Sequence, residues 1–192
     1  MKMKRFFAIV LALALAMTVS NELKAQMFGG PDFMRGKAVV GGNAKLGIAN
    51  RNFHAGVSPQ IGYRLTRSLE IGARLGYDLN YYFGTQYAPT SYFTHFFSGA
   101  VYINCDIFSG IYAQVEDEVM CRLISGHAVE TPYSRWFNSL FVGGGYHQYL
   151  SERSFTFYSI LYNLSWGLGL NGYQESPYAT PFVIRVGFCT TL

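Results

Sequence analysis

Residues 69–82 read LEIGARLGYDLNYY, and this stretch decides the fold class. Its odd positions are apolar or aromatic, from Leu69 to Tyr81, whereas its even positions carry Glu70, Arg74 and Asp78 among glycines and polar residues. A strand points alternate side chains to opposite faces, whereas a helix would spread these charges around all sides. The stretch is also longer than the about 5 or 6 residues usual for globular strands. The sequence therefore predicts a long strand with one apolar and one polar face.

The same alternation recurs in further segments, which are residues 37–48, 57–65, 93–107, 111–123, 140–150, 155–164 and 182–188. The connections are short at residues 66–68, 108–110 and 151–153, longer at residues 83–92, 124–139 and 165–181, and intermediate at residues 49–56. Short turns at one rim and longer loops at the other are typical of transmembrane barrels. We predict an all-β fold, an eight-stranded antiparallel up-and-down transmembrane β-barrel over residues 37–192.

The N-terminus has the composition of a secretory signal peptide. Basic residues precede an apolar run at residues 6–17, and Ala25 lies before the expected cleavage site. A basic start, a short apolar core and a small residue before the cut define such signals, and this run is too short for a transmembrane helix of about 20 residues. We expect cleavage of residues 1–25 on export, which leaves an N-terminal segment at residues 26–36.

Charge and hydropathy then argue against a nucleic-acid partner and against a helical membrane anchor. The formal charge of +4 falls to +1 without the signal, which holds Lys2, Lys4, Arg5 and Lys24 against Glu22. Because nucleic-acid binding needs a retained basic stripe, we expect no nucleic-acid partner. The remaining chain also has no apolar run of about 18 residues, so no helical anchor is expected.

The direction of the apolar face separates a membrane barrel from a soluble one. A soluble barrel has an apolar interior, whereas an outer-membrane barrel turns its apolar face to lipid. The export signal, the long strands and a cluster of aromatic residues near one rim favour the membrane barrel; the cluster comprises Tyr81, Tyr82, Phe83, Tyr92 and Phe93. A secreted lipocalin-like barrel is the main alternative.

Several motifs resemble those of a known group of proteins. They are Val142-Gly-Gly-Gly-Tyr146, Leu161-Tyr-Asn-Leu164, Ser176-Pro-Tyr178 and Pro181-Phe-Val-Ile-Arg-Val-Gly-Phe188. With the strand pattern, they resemble the superfamily of small eight-stranded outer-membrane barrels of Gram-negative bacteria, typified by outer-membrane proteins A and X. The resemblance implies insertion by the barrel assembly machinery, with the C-terminal strand as assembly signal, but it implies no chemistry.

The strand phases assign a set of charged side chains to the barrel interior. They are Lys37, Lys45, Arg64, Glu70, Arg74, Asp78, Asp106, Glu116, Glu118, Arg122 and Arg185. Buried charges are tolerated where they are paired, and an eight-stranded barrel is just wide enough for side chains to fill. We predict a lumen charge network that plugs the barrel, with a narrow gated pore as the alternative. Asp117 falls on the lipid-facing phase, which predicts either a bulge or a position near a rim.

One constellation at the long-loop rim suggests catalysis. Hairpin pairing sets Ser125 diagonally beside His95, with His127 and Glu130 following in the loop. A serine activated by histidine, with a carboxylate behind it, suits hydrolysis of a lipid ester. A lipid A modifying hydrolase is therefore an alternative function, although this spacing is no recognised motif and we expect no enzyme.

The three cysteines are Cys105, Cys121 and Cys189. Their spacing is not that of a metal site, and we expect neither a metal nor another cofactor. Pairing of Cys105 with Ala113 would put Cys121 eight residues away, out of disulfide reach.

The sequence as a whole predicts an outer-membrane protein with a structural or surface-binding role through its long loops. We expect it to be a monomer surrounded by outer-membrane lipid and lipopolysaccharide. A narrow channel, the hydrolase and an accessory barrel of a secretion system are the alternatives.

Overall fold

The computed structural model describes residues 37–49, 52–83, 91–125, 133–166, 177–178 and 180–192. The strands are β1 (Ala38–Ala49), β2 (Asn52–Arg64), β3 (Leu69–Tyr82), β4 (Tyr92–Phe108), β5 (Ile111–Ser125), β6 (Tyr133–Tyr149), β7 (Ser154–Asn163) and β8 (Phe182–Thr191). Within these ranges, no helix has the length and apolar composition needed to cross a membrane. The predicted signal peptide and residues 26–36 lie outside the described residues.

The strands form a closed antiparallel barrel in which each strand pairs with the next along the chain. β1 also pairs with β8, from Val39 opposite Thr191 to Gly42 opposite Phe188, and this ladder closes the sheet. A closed sheet has no exposed edge on which another strand could add. The predicted eight-stranded up-and-down barrel is confirmed.

Tight turns join strands at one end of the barrel, the short-turn rim, which comprises residues 66–68, 109–110 and 151–153. The Leu65 amide donates to the Leu69 carbonyl at 2.9 Å, and the Leu150 amide donates to the Ser154 carbonyl at 2.9 Å. These bonds close the two three-residue loops at the predicted register.

The turn between β4 and β5 is shorter than predicted. Phe108 pairs with Ile111, and the ladder shifts between Asp106 and Phe108. Ser109 and Gly110 have φ angles of 43° and 88°, as a two-residue hairpin turn that follows the strand twist requires. The predicted three-residue loop is therefore a two-residue turn beside a bulge.

Connections at the opposite end define the long-loop rim, which comprises residues 50–51, 83–91, 126–132 and 164–181. The predicted connections at residues 49–56 and 124–139 are wrong, because β2 begins at Asn52 and β6 at Tyr133. In β6 the alternation is hidden by aromatic side chains on both faces. Trp136 is 67% exposed on the outside, whereas Phe137 is buried inside.

The position of Asp117 also differs from both predicted alternatives. The β4–β5 ladder is unbroken from Phe93 opposite Ser125 to Asp106 opposite Tyr112. No bulge therefore shifts Asp117, which pairs with Val101 and lies well inside β5. Its side chain stays on the outer face of the barrel.

The two faces of the sheet differ sharply in polarity. Large apolar side chains cover the outside, where Leu46 is 79%, Leu75 69% and Ile184 72% exposed. Charged side chains fill the inside, where Glu116 is 0% and Arg64 is 1% exposed. Aromatic residues ring the outer wall near the long-loop rim, at Phe53, Tyr81, Phe93, Trp136, Tyr162 and Phe182, and near the short-turn rim, at Tyr63, Tyr146, Tyr158 and Phe188.

Candidate functional site

Glu116 lies at the centre of the lumen charge network. Arg185 Nη1 donates to its two carboxylate oxygens at 2.8 and 2.7 Å, and Arg74 Nη2 donates to Oε2. Gln114 Nε2 donates to Oε2 at 2.9 Å. Glu118 adds a second carboxylate, with its Oε2 3.6 Å from Arg185 Nη2. These contacts neutralise two guanidiniums with two carboxylates and tie β3, β5 and β8 together across the lumen.

The connection between β7 and β8 sends Tyr178 into the lumen from the long-loop rim. Its hydroxyl donates to Glu118, and its ring stands edge-on to Phe141, with ring centroids 5.4 Å apart. The ring also packs against an interior apolar cluster formed by Phe96, Met120 and Phe137. Burial and the adjacent Glu118 carboxylate raise the pKa of Tyr178 well above its ordinary value, so the hydroxyl remains a donor.

Towards the short-turn rim, Arg64 lies between two carboxylates. Its Nη1 donates to Asp106 Oδ2 at 2.6 Å, and its Nε is 3.2 Å from Glu70 Oε2. His147 Nδ1 is 3.4 Å from Asp106 Oδ1, and its ring stacks on Tyr112 at 4.1 Å between centroids. The side chains of this cluster are almost fully buried, and they fill the lumen near the short-turn rim.

Towards the long-loop rim, the lumen is more exposed. Lys45 Nζ is 3.1 Å from Asp78 Oδ2, and His54 Nε2 is 3.6 Å from Asp78 Oδ1. On the facing wall, Arg122 and Arg135 are cross-strand partners. Phe137 belongs to the interior apolar cluster. Both guanidiniums lie over its ring, 5.2 and 5.3 Å from the ring centroid.

Side chains fill the lumen between these clusters. A cavity of about 10 Å³ lies beside Glu70, Tyr102 and Ser159, which is room for about one water molecule. Tyr102 donates to Glu70 at 3.2 Å across this space. The described side chains around this cavity therefore pack closely.

The structure places the predicted lumen charges of the strands on the inner face. Lys37 immediately precedes β1, and the alternation of that strand gives it the same inward phase. Sequence reasoning missed Arg135, His147 and Tyr178 as members of the interior network. Arg135 fell in a segment predicted to be a loop, and Tyr178 lies in a connection, where alternation gives no signal. His147 lies on the polar face of the alternating segment at residues 140–150, but nothing in its sequence neighbourhood marks it as the partner of Asp106.

The predicted hydrolase constellation has a different environment. His95 lies on the outer face, where its Nδ1 is 3.0 Å from Tyr77 Oη and its ring is near those of Tyr77 and Phe93. Ser125 pairs with Phe93, diagonal to His95 as predicted. His127 and Glu130 lie outside the described residues. The described residues thus give His95 an aromatic partner without supplying a complete triad.

All three cysteines have free thiols. Cys105 pairs with Ala113 as predicted, and Cys121 pairs with Phe97 further along the same hairpin. Among the described residues, no group of three or more histidine, cysteine or carboxylate side chains is arranged to hold a metal ion.

The central network predicts a large stability effect at Glu116. We expect Glu116→Gln to lower the free energy of unfolding by about 3–5 kcal/mol, because two buried guanidiniums lose their shared counter-charge. Urea unfolding of the barrel in lipid vesicles, followed by the heat-sensitive shift in gel mobility, measures this difference. Glu152→Gln, in an exposed turn, is the matched control and should change stability by less than about 0.5 kcal/mol. Equal stability of both variants would contradict the assignment.

Comparison with known proteins identifies no family. No family model matches the chain, and no curated protein matches it. Among solved structures, the chain is similar to the N-terminal β-barrel domain of Pseudomonas aeruginosa OprF, with a TM-score of 0.45 and 12% sequence identity over 82% of this chain and 98% of that one.

Proposed function

We propose that the chain is an integral outer-membrane protein with a closed lumen, which acts as a structural or surface-binding element through its long-loop rim. The observation that carries this proposal is the polarity of the sheet. Leu46, Leu75 and Ile184 are exposed on the outer wall, whereas Arg64 and Glu116 are buried inside. Each large aliphatic side chain left in water forgoes about 1.5–3 kcal/mol of burial, so this surface fits lipid better than water.

The dimensions of the barrel support the same setting. Its strands run from 10 residues in β7 and β8 to 17 in β4 and β6. A tilted transmembrane strand needs about 9–11 residues. Aromatic rings near both rims, with aliphatic side chains between them, match the girdles that flank an apolar band about 25 Å tall. We therefore infer that outer-membrane lipid and lipopolysaccharide surround the wall.

The filled lumen favours a surface role over a channel. The Glu116 network and the side chain of Tyr178 occupy the lumen, and the cavity beside Glu70 admits about one water. The longer connections lie at the long-loop rim, and Arg122 and Arg135 lie in the lumen near that rim. We infer that contacts with other molecules form at this rim, without catalysis.

Membrane fractionation tests the setting. We expect the native protein to be recovered with the outer membrane, because its apolar wall requires lipid. We also expect folded and boiled samples to migrate differently on a gel, since the closed barrel resists detergent until heated. Recovery in the soluble periplasmic fraction would contradict the membrane setting and favour the lipocalin-like alternative.

Proteolysis of intact cells tests which rim faces outwards. The connections at residues 126–132 and 164–181 contain Glu130 and Glu175, whereas the short-turn rim contains Glu152. A glutamate-specific protease added to intact cells should cut at Glu130 or Glu175 and spare Glu152. Glu152 should be cut only after the outer membrane is opened. Cleavage at Glu152 in intact cells, with the other two sites spared, would contradict a surface role for the long-loop rim.

A further inference from the structure

The outer wall contains a carboxylate in the middle of its apolar band. Asp117 is flanked along β5 by Val115 and Val119, and it pairs with Val101 on β4 and Leu140 on β6. Under the proposed membrane setting, these neighbours place it between the two aromatic girdles. A charged side chain facing lipid is costly at that depth. Such a residue therefore indicates a contact that lipid alone does not provide.

Asp117 already has a hydrogen-bond donor beside it. Asn138 Nδ2 donates to Asp117 Oδ1 at 3.1 Å across the β5–β6 pair. The two polar groups therefore lie at the same depth in the membrane, to within the length of one hydrogen bond. A carboxylate has two oxygens and about four acceptor sites, so Asp117 has the capacity for further donors. The patch presents an acceptor and a donor side by side.

Small residues lie near this pair on the outer wall. Ala113 is paired with Gly144, and Val119 is paired with Gly99. A methyl group added at Gly99 would meet no atom within 4 Å, so the outer surface there is open. Small residues permit close approach of another protein surface in a membrane. Val101 and Trp136, which are 58% and 67% exposed, project beside this open surface.

We propose that the outer face of β5 and β6 docks a second copy of this chain, with Asp117 of each copy accepting a hydrogen bond from Asn138 of the other. This inference rests on the proposed membrane setting, in which both copies share one orientation and a two-fold axis between them must run along the membrane normal. Rotation by 180° about that axis brings the donor of one patch to the acceptor of the other at equal depth. The same patch is thus its own complement, as a two-fold interface requires. This proposal differs from the sequence-based expectation of a monomer.

Cross-linking in native outer membranes tests which face is shared. The probe is a short bismaleimide applied to a chain in which Cys105, Cys121 and Cys189 are replaced by alanine and a single cysteine is introduced. Val119→Cys, beside Asn138 across the β5–β6 pair, should give a band of twice the chain mass, at a yield several-fold above that of Leu46→Cys, which lies on β1. Equal yields at the two positions, no such band at position 119, or a cross-linked band of another mass would overturn docking of a second copy.

The dissociation constant of the dimer tests the role of the carboxylate. We expect Asp117→Leu to raise the Kd in detergent about tenfold, because two intermolecular hydrogen bonds between membrane-embedded groups are lost. Sedimentation equilibrium measures this change, and Leu46→Ala should leave the Kd unaltered. The leucine removes a lipid-facing charge, so the barrel should still fold and keep its heat-sensitive mobility.

The outcomes separate the dimer from the membrane setting. An unchanged Kd in Asp117→Leu, with the protein still in the outer membrane, overturns only the dimer contact. Absence of the unmodified protein from the outer membrane overturns the proposed function and, with it, the dimer.

Discussion

A charged side chain that is buried in the lumen needs a partner there, and the arrangement of the barrel interior follows from this constraint. Taking an ion out of water costs several kcal/mol unless it is paired. In the centre, the Glu116 carboxylate lies between Arg74 and Arg185, whereas towards the short turns the Arg64 guanidinium lies between Glu70 and Asp106. With Glu118, the Glu116 cluster holds two guanidiniums and two carboxylates. The Arg64 cluster holds one guanidinium and two carboxylates, and His147 lies beside Asp106.

Each of these clusters connects three strands. The Glu116 cluster joins β3, β5 and β8, and the Arg64 cluster joins β2, β3 and β4. A slip of one residue in any of these strands would turn its charged side chains outward. The ion pairs therefore favour the register that also sends the aliphatic side chains to the outer wall. A lumen filled with charged side chains and an apolar outer wall are two results of one alternation.

The sequence predicted most of the fold because most strands alternate cleanly. The predicted strand at residues 69–82 matches β3, and the pairing of Cys105 with Ala113 matches the observed β4–β5 register. At the start of β6, prediction failed because the lumen itself is apolar there. Phe137 faces inward next to the outward Trp136, so that end of β6 shows no period of two.

The interior network could be predicted only in part. Strand phase identifies the side chains that enter the lumen, but it does not identify their partners, which lie on strands far apart in sequence. Tyr178 enters from a connection, where no period exists, and its contact with Glu118 depends on the path of the chain between β7 and β8. The polar pair of Asp117 and Asn138 also appears only when the β5–β6 register is known.

In the proposed membrane setting, the even-numbered residues of β8 face lipid and the odd-numbered residues face the lumen. Spin labels on single cysteines at positions 183, 184 and 186, in a cysteine-free chain reconstituted in lipid, report this orientation through collisions with oxygen, which concentrates in hydrocarbon. We expect high oxygen accessibility at positions 184 and 186 and low accessibility at position 183. Greater oxygen accessibility at position 183, or contact of the labels at positions 184 and 186 with a water-soluble relaxation agent, would show that the wall has the opposite orientation.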